Sequence, residues 1–172
     1  MKPIFLIGFS GAGKTTVGKI LANQIDMQFI DLDEFIEKQQ GESITQIFSH
    51  KNGETLFRQL ENELILKLCK KQNIVVATGG GTACSEENLE LINNYGISFY
   101  LKWSERDLFL RLQIDGIEKR PLLSEKKDSE IADFIHLLLE RRKLFYQKAH
   151  FTVSGQNDEQ LARKISEIIK KV

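Results

Sequence analysis

Residues 8–15 read Gly-Phe-Ser-Gly-Ala-Gly-Lys-Thr and match G-x-x-x-x-G-K-[ST] at every fixed position, directly behind the apolar run Ile4–Ile7. A strand feeding such a loop, with a helix opening at its end, is a cradle for phosphate. Gly8, Gly11, Ala12 and Gly13 supply backbone N–H groups that turn inward around an anion, and the helix N-terminus adds partial positive charge. Lys14 reaches the outer phosphates, the Thr15 hydroxyl can ligate magnesium, and Thr16 completes the loop's ligand set. The loop calls for a nucleoside triphosphate.

Three more clusters carry possible chemistry. Asp31 and Asp33 close the apolar run Phe29–Asp31. In an extended segment, alternate residues face one side, so one carboxylate could hold magnesium through water while the other accepts from a substrate hydroxyl. Asp33 as the N-cap of a following helix is an equally good reading. Arg58 and Glu61 stand at i, i+3 in a helical pattern. A surface salt bridge explains that spacing cheaply; alternatively Glu61 holds the Arg58 fork for a small carboxylate ligand. Thr78-Gly79-Gly80-Gly81 follows the third apolar run. Consecutive glycines cost backbone entropy and point to a close approach by ligand or backbone, with a plain flexible loop as the alternative.

The elements that must position these residues alternate in type. Buried-strand runs occur at Ile4–Ile7, Phe29–Asp31, Ile74–Ala77, Ile97–Leu101 and Phe151–Val153. Helical periodicity covers Thr15–Ile25, Gly53–Lys71, Ser104–Leu112, Glu130–Lys148 and Asp158–Lys171. Such alternation predicts an α/β fold: a five-stranded parallel sheet in three layers, helices on both faces, ligands at the strands' carboxyl ends. Two polar stretches stand outside that framework, one acidic and aromatic from Asp33 and one across Gln113–Lys127, and both read as clamps on a rigid core.

Global properties exclude several classes. The 172 residues suit one domain, and 24 basic against 24 acidic side chains leave no basic field to draw nucleic acid. Cys69 and Cys84 lie in no metal-type spacing and read as reduced cytosolic thiols. No apolar stretch approaches a membrane span, and the N-terminus enters a strand at once, so a cytoplasmic protein without a membrane partner is expected. There is no Asn-Lys-x-Asp segment of the kind a guanine-reading switch protein needs. His50, His136 and His150 form no triad or metal pattern, Trp103 reads as a packing residue, and Phe145 and Tyr146 read as helix-face residues.

Taken in order, the loop 8–15, Asp31 with Asp33, Phe57-Arg58 with Glu61, Gly79-Gly80-Gly81 and Lys119-Arg120-Pro121-Leu122-Leu123 resemble the shikimate kinase family, a branch of the P-loop NTPase fold. The resemblance runs from Ile4 to about Val153 and implies one domain over 1–172, with a substrate-binding insertion at about 33–61 and a lid at about 113–127. It implies ATP and magnesium as the phosphoryl source, shikimate as the small-molecule partner, and transfer to the shikimate 3-hydroxyl in the route to chorismate. A related small-molecule kinase, such as gluconate kinase, is the alternative.

The resemblance also implies roles. Asp31 joins Thr15 at magnesium, and Asp33 orients the attacking hydroxyl. Phe48, Phe57, Arg58, Gly79, Gly80 and Gly81 bind shikimate. Arg111 stacks on adenine, while Arg120 closes from the lid and, with Lys14 and Asp33, forms the catalytic set. A second carboxylate-binding arginine belongs to an E-R-x-x-L-Y-x-x-x-A pattern, here Glu140 to Ala149. Glu140 and Ala149 as anchors select Arg141; counting from Tyr146 selects Arg142. The expectation is Arg141. The family also implies a monomer.

Overall fold

The structure is a computed structural model that describes residues 1–115 and 128–171. Its order is β1 (Ile4–Ile7), α1 (Lys14–Gln24), β2 (Gln28–Asp31), α2 (Leu32–Gln40), α3 (Ile44–Ser49), α4 (Gly53–Leu68), β3 (Ile74–Ala77), a 3-10 turn (Thr82–Cys84), α5 (Glu86–Tyr95), β4 (Ile97–Leu101), α6 (Glu105–Asp115), α7 (Asp128–Tyr146), β5 (Phe151–Val153) and α8 (Asp158–Ile169). The five strands lie in the order β2-β3-β1-β4-β5, and every pairing is parallel.

β1 occupies the centre because all four of its residues are apolar and fully buried, as a strand covered on both faces requires. Alternation splits its side chains between two cores. Ile4 and Leu6 join Val75, Phe99 and residues of α1, α6, α7 and α8. Phe5 points the other way, to Val76, Ile36, Ile47 and Ile65 from α2, α3 and α4. The chain therefore makes three layers, and the carboxyl ends of β1, β2 and β3 open on one edge, where the phosphate loop, Asp31 and the glycine triple sit.

Local chemistry starts and stops these elements. Ser43 and Gln46 form a capping box at α3, Ser85 caps α5 and Asn157 caps α8. The stretch from Asp33 to His50 is α2 and α3, which rest on α4. α5 had no counterpart in the sequence-based expectation. Its buried positions, Asn88, Leu89 and Ile92, give too sparse an apolar stripe, although Ser85 offered a capping signal.

The join of α3 to α4 allows no side chain. A Cβ on Gly53 would lie 2.0 Å from the Ile47 carbonyl oxygen and 2.8 Å from Phe48 backbone atoms. Gly53→Ala is expected to destabilise the fold by about 1–3 kcal/mol through forced displacement of α3. A lower urea midpoint at unchanged slope checks this.

Candidate active site

The phosphate loop leaves β1 at Ile7 and enters α1 through Gly13, which, like Gly11, holds a left-handed backbone (φ 81° and 79°). Lys14 is buried, and its Nζ donates to the carbonyls of Gly8 at 2.9 Å and Phe9 at 2.8 Å. Gly11, Gly13, Lys14, Thr15 and Thr16 line a polar chamber of about 150 Å³. Ala12 lies beneath, its carbonyl accepting from Trp103 Nε1 at 3.0 Å. Trp103, read from sequence as packing, therefore holds the loop.

Asp31 ends β2 and does two jobs with one carboxylate. Oδ2 accepts from Thr15 Oγ1 at 2.6 Å, while Oδ1 accepts from the N–H groups of Asp33 at 3.0 Å and Glu34 at 3.3 Å. Asp31, and not Asp33, is thus the helix cap, and the two do not belong to one extended segment because α2 begins at Leu32. Asp33 reaches the site from the first turn of the helix. A hydroxyl beside a carboxylate is the oxygen donor set with which proteins hold magnesium while phosphates and water complete the shell. Thr15 and Asp31 fit that ion. Among the described residues, His, Cys, Asp and Glu form no metal-type cluster of three or more.

A second chamber, of about 200 Å³, lies beside the first. Phe48 and Phe57, with ring centres 5.2 Å apart, form one wall. Arg58 stands over the Phe57 ring at 5.5 Å and donates through Nη1 to Glu61 Oε2 at 2.6 Å. Glu61 has no solvent exposure, and its Oε1 accepts from the Thr82 hydroxyl. The Arg58–Glu61 pair is therefore not the surface bridge that its spacing allowed. Glu61 and Glu54 hold the guanidinium protonated, against burial, which works to lower its pKa.

The glycine triple forms the opposite wall for steric reasons. A Cβ on Gly81 would lie 2.8 Å from Arg58 Nη1, and one on Gly79 would lie 2.8 Å from Asp33 Oδ1. Close approach, not loop flexibility, accounts for these residues. Gly80 is fastened from α7: its carbonyl accepts from Tyr146 Oη at 2.5 Å and Arg142 Nη1 at 3.2 Å.

That contact corrects the C-terminal assignment. Arg142 faces the chamber and lies 5.9 Å from the Phe9 ring centre, whereas Arg141 is exposed and does not line it. Adjacent helix positions differ by about 100°, so a one-residue error in register turns a side chain out of the site. Tyr146 supplies the correct register and is fully buried against Gly80, not a bystander on the helix face. Ser10, Phe9 and Glu37 also line the chamber without having been singled out in the sequence. The expected lid residue Arg120, with Lys119 and Pro121 to Leu123, lies outside the described residues. Arg111 lies against the phosphate loop, donating through Nε to the Gly11 carbonyl at 2.7 Å.

Asp33, Ser10 and Gly80 line both chambers and mark where they meet. Asp33 Oδ1 is enclosed and has no hydrogen-bond partner among the described residues, so it is aimed at whatever occupies the junction. Burial first, then the nearby charges of Asp31 and Glu61, raise its pKa from 3.8 to about 7, with Lys14 acting against them. A carboxyl poised there can take a proton near neutral pH.

Comparison with known proteins fits this geometry. The family model for shikimate kinase matches residues 10–172. The chain belongs to the shikimate kinase family. A curated shikimate kinase of Phocaeicola vulgatus is 38% identical, with all of this chain and 99% of that protein aligned. One of Thermodesulfovibrio yellowstonii is 42% identical over 96% of this chain and 93% of its own length. The solved shikimate kinase of Acinetobacter baumannii in complex with shikimate superposes with a TM-score of 0.91 at 34% identity, covering 99% of this chain and 94% of that one. A gluconokinase of Sinorhizobium meliloti, at 16% identity and a TM-score of 0.58, shares the fold alone.

The raised Asp33 pKa has a cost in stability. Folded, the group keeps a proton to about pH 7 that the unfolded chain releases near 3.8. Asp33 therefore subtracts stability as pH rises through that window, with the full penalty above it. Asp33→Asn is expected to melt ~3 °C or more above wild type at about pH 8. Thermal scans at about pH 4 should show that gap nearly closed.

Proposed function

We propose that this enzyme transfers the γ-phosphoryl group of ATP to the 3-hydroxyl of shikimate, giving shikimate 3-phosphate and ADP. The observation that carries the reading is the enclosed Asp33 oxygen at the junction of a phosphate chamber and a chamber holding two arginines. Phosphoryl transfer to an alcohol depends on alignment and charge neutralisation more than on covalent chemistry.

The triphosphate lies in the loop 8–15, with Lys14 and the loop N–H groups on its outer oxygens. Thr15 and Asp31 would hold the magnesium ion, which would supply charge neutralisation at the phosphates. Shikimate places its carboxylate between the Arg58 and Arg142 forks, which form parallel charge-assisted hydrogen bonds that a neutral group cannot replace. Its ring lies between Phe57 with Phe48 and the flat wall of Gly79–Gly81. The hydroxyl to be phosphorylated then meets Asp33, which orients it and accepts its proton. Arg120 takes the lid role, on the strength of the Lys-Arg-Pro-Leu-Leu sequence.

The chain acts as a single domain, with 33–61 as the substrate clamp. It works as a cytoplasmic monomer, without nucleic acid or membrane partner. The compartment and partners are supported by the balanced charge, by Cys69 and Cys84 without a disulfide, and by the lack of any helix among the described residues long and apolar enough to cross a membrane; the monomer follows the family resemblance alone.

Steady-state kinetics separate the roles. Arg142→Ala is expected to raise the KM for shikimate about 100-fold with a smaller effect on kcat, and Arg141→Ala to leave both nearly unchanged. Asp33→Asn is expected to lower kcat by about 10²–10⁴ while shikimate still binds. Turnover of gluconate with none of shikimate would contradict the assignment of substrate.

A further inference from the structure

Arg111 on α6 and Asp158 on α8, neither of which lines the chamber of Arg58 and Arg142, meet over three consecutive loop residues. Arg111 Nε is bonded to the Gly11 carbonyl, and Nη2 donates to both carboxylate oxygens of Asp158, at 2.8 and 3.0 Å. The guanidinium carbon lies 4.5 Å from the Trp103 ring centre. The indole N–H in turn holds the Ala12 carbonyl. Gly13 is pressed against the same pair, since a Cβ there would lie 2.5 Å from Arg111 Nη2 and 2.6 Å from Asp158 Oδ1. Residues 11, 12 and 13 are each in contact with this assembly.

We propose that Trp103 and Asp158 are positioning residues for the nucleotide half of the site. They hold the Arg111 guanidinium at one orientation beside the loop before ATP arrives. An unrestrained arginine loses several rotatable bonds on meeting a ligand, and that ordering weakens binding. Here the indole covers one face and the Asp158 carboxylate fixes one edge, so the plane is set in advance. Among the described residues Nη1 makes no hydrogen bond and Trp103 is the one ring against the guanidinium, so the other face can meet a planar base, the arrangement in which a guanidinium stacks on heteroaromatic rings. With side-chain exposures of only 25% and 17%, the ion pair is better shielded than the fully solvated pairs that contribute little. Trp103 and Asp158 act through Arg111 and the loop, without touching the reacting atoms.

The inference rests on the nucleotide half of the kinase reading and is tested separately from the substrate assignment. ADP and shikimate affinities are measured by calorimetry on the wild-type enzyme, Asp158→Asn, Asp158→Glu and Trp103→Phe. Asp158→Asn is expected to lose about ten-fold in ADP affinity, with shikimate affinity held within about two-fold as an internal check on folding. Asp158→Glu keeps the charge and is expected to regain most of the loss, while Trp103→Phe keeps the ring and loses about three-fold. In turnover assays, the KM for ATP should rise in Asp158→Asn by the same factor with little change in kcat. Unchanged ADP affinity in Asp158→Asn, an equal loss in Asp158→Glu, or a parallel loss of shikimate affinity would overturn the proposal. A wild-type enzyme that bound ADP yet left shikimate unphosphorylated would remove the substrate assignment instead, with the ADP comparison intact.

Discussion

Glu61 is a carboxylate with no solvent exposure in the middle of a helix, and the half of the cleft lined by Arg58 depends on how that charge is satisfied. A buried charge left unpaired costs several kcal/mol, so its partners are held firmly. Arg58 takes one oxygen and the Thr82 hydroxyl the other. α4 is thereby joined to the turn after β3, and the Arg58 guanidinium is fixed against Gly81 with donors to spare. Tyr146 and Arg142 fasten Gly80 from α7 in the same way. Three segments distant in sequence thus meet at one wall, each held by a charge or hydroxyl that has no better place to go.

The phosphate half is ordered by a different carboxylate. Asp31 divides its oxygens between Thr15 on α1 and the first N–H groups of α2, so capping a helix and preparing an ion site are one act. The helix it caps delivers Asp33 to the junction. Asp33 has the opposite character: enclosed, without a hydrogen-bond partner among the described residues, and raised in pKa to about 7, chiefly by burial. That environment costs stability above the carboxyl's ordinary range, and such shifted groups cluster at functional sites.

Much of this was legible in the residues. The phosphate loop was, because its glycines and Lys14 answer to backbone geometry that few other sequences meet. Four of the five strands fall at the expected residues; Ile4–Ile7 and Ile74–Ala77 are buried throughout and read as continuous apolar runs, whereas Phe151–Val153 is an edge strand with Thr152 exposed. Less legible were features that depend on partners far along the chain. Trp103 gives no local sign that its N–H will meet Ala12, and Arg58–Glu61 spacing looks the same on a surface as in a core. The choice between Arg141 and Arg142 turned on Tyr146, whose hydroxyl has a purpose only once Gly80 is beside it. Asp31 and Asp33 do line one chamber, but not through strand alternation, since the strand ends two residues earlier than an extended Asp-Leu-Asp would need.

The central claim is that two fixed guanidinium groups read a carboxylate and thereby place a hydroxyl at Asp33. Phosphorylation of shikimate compared with its methyl ester, at saturating magnesium-ATP, tests this most directly, because the ester keeps every hydroxyl and removes the charge. The account predicts a kcat/KM for the ester lower by about 10²–10³. Comparable values for acid and ester would contradict it.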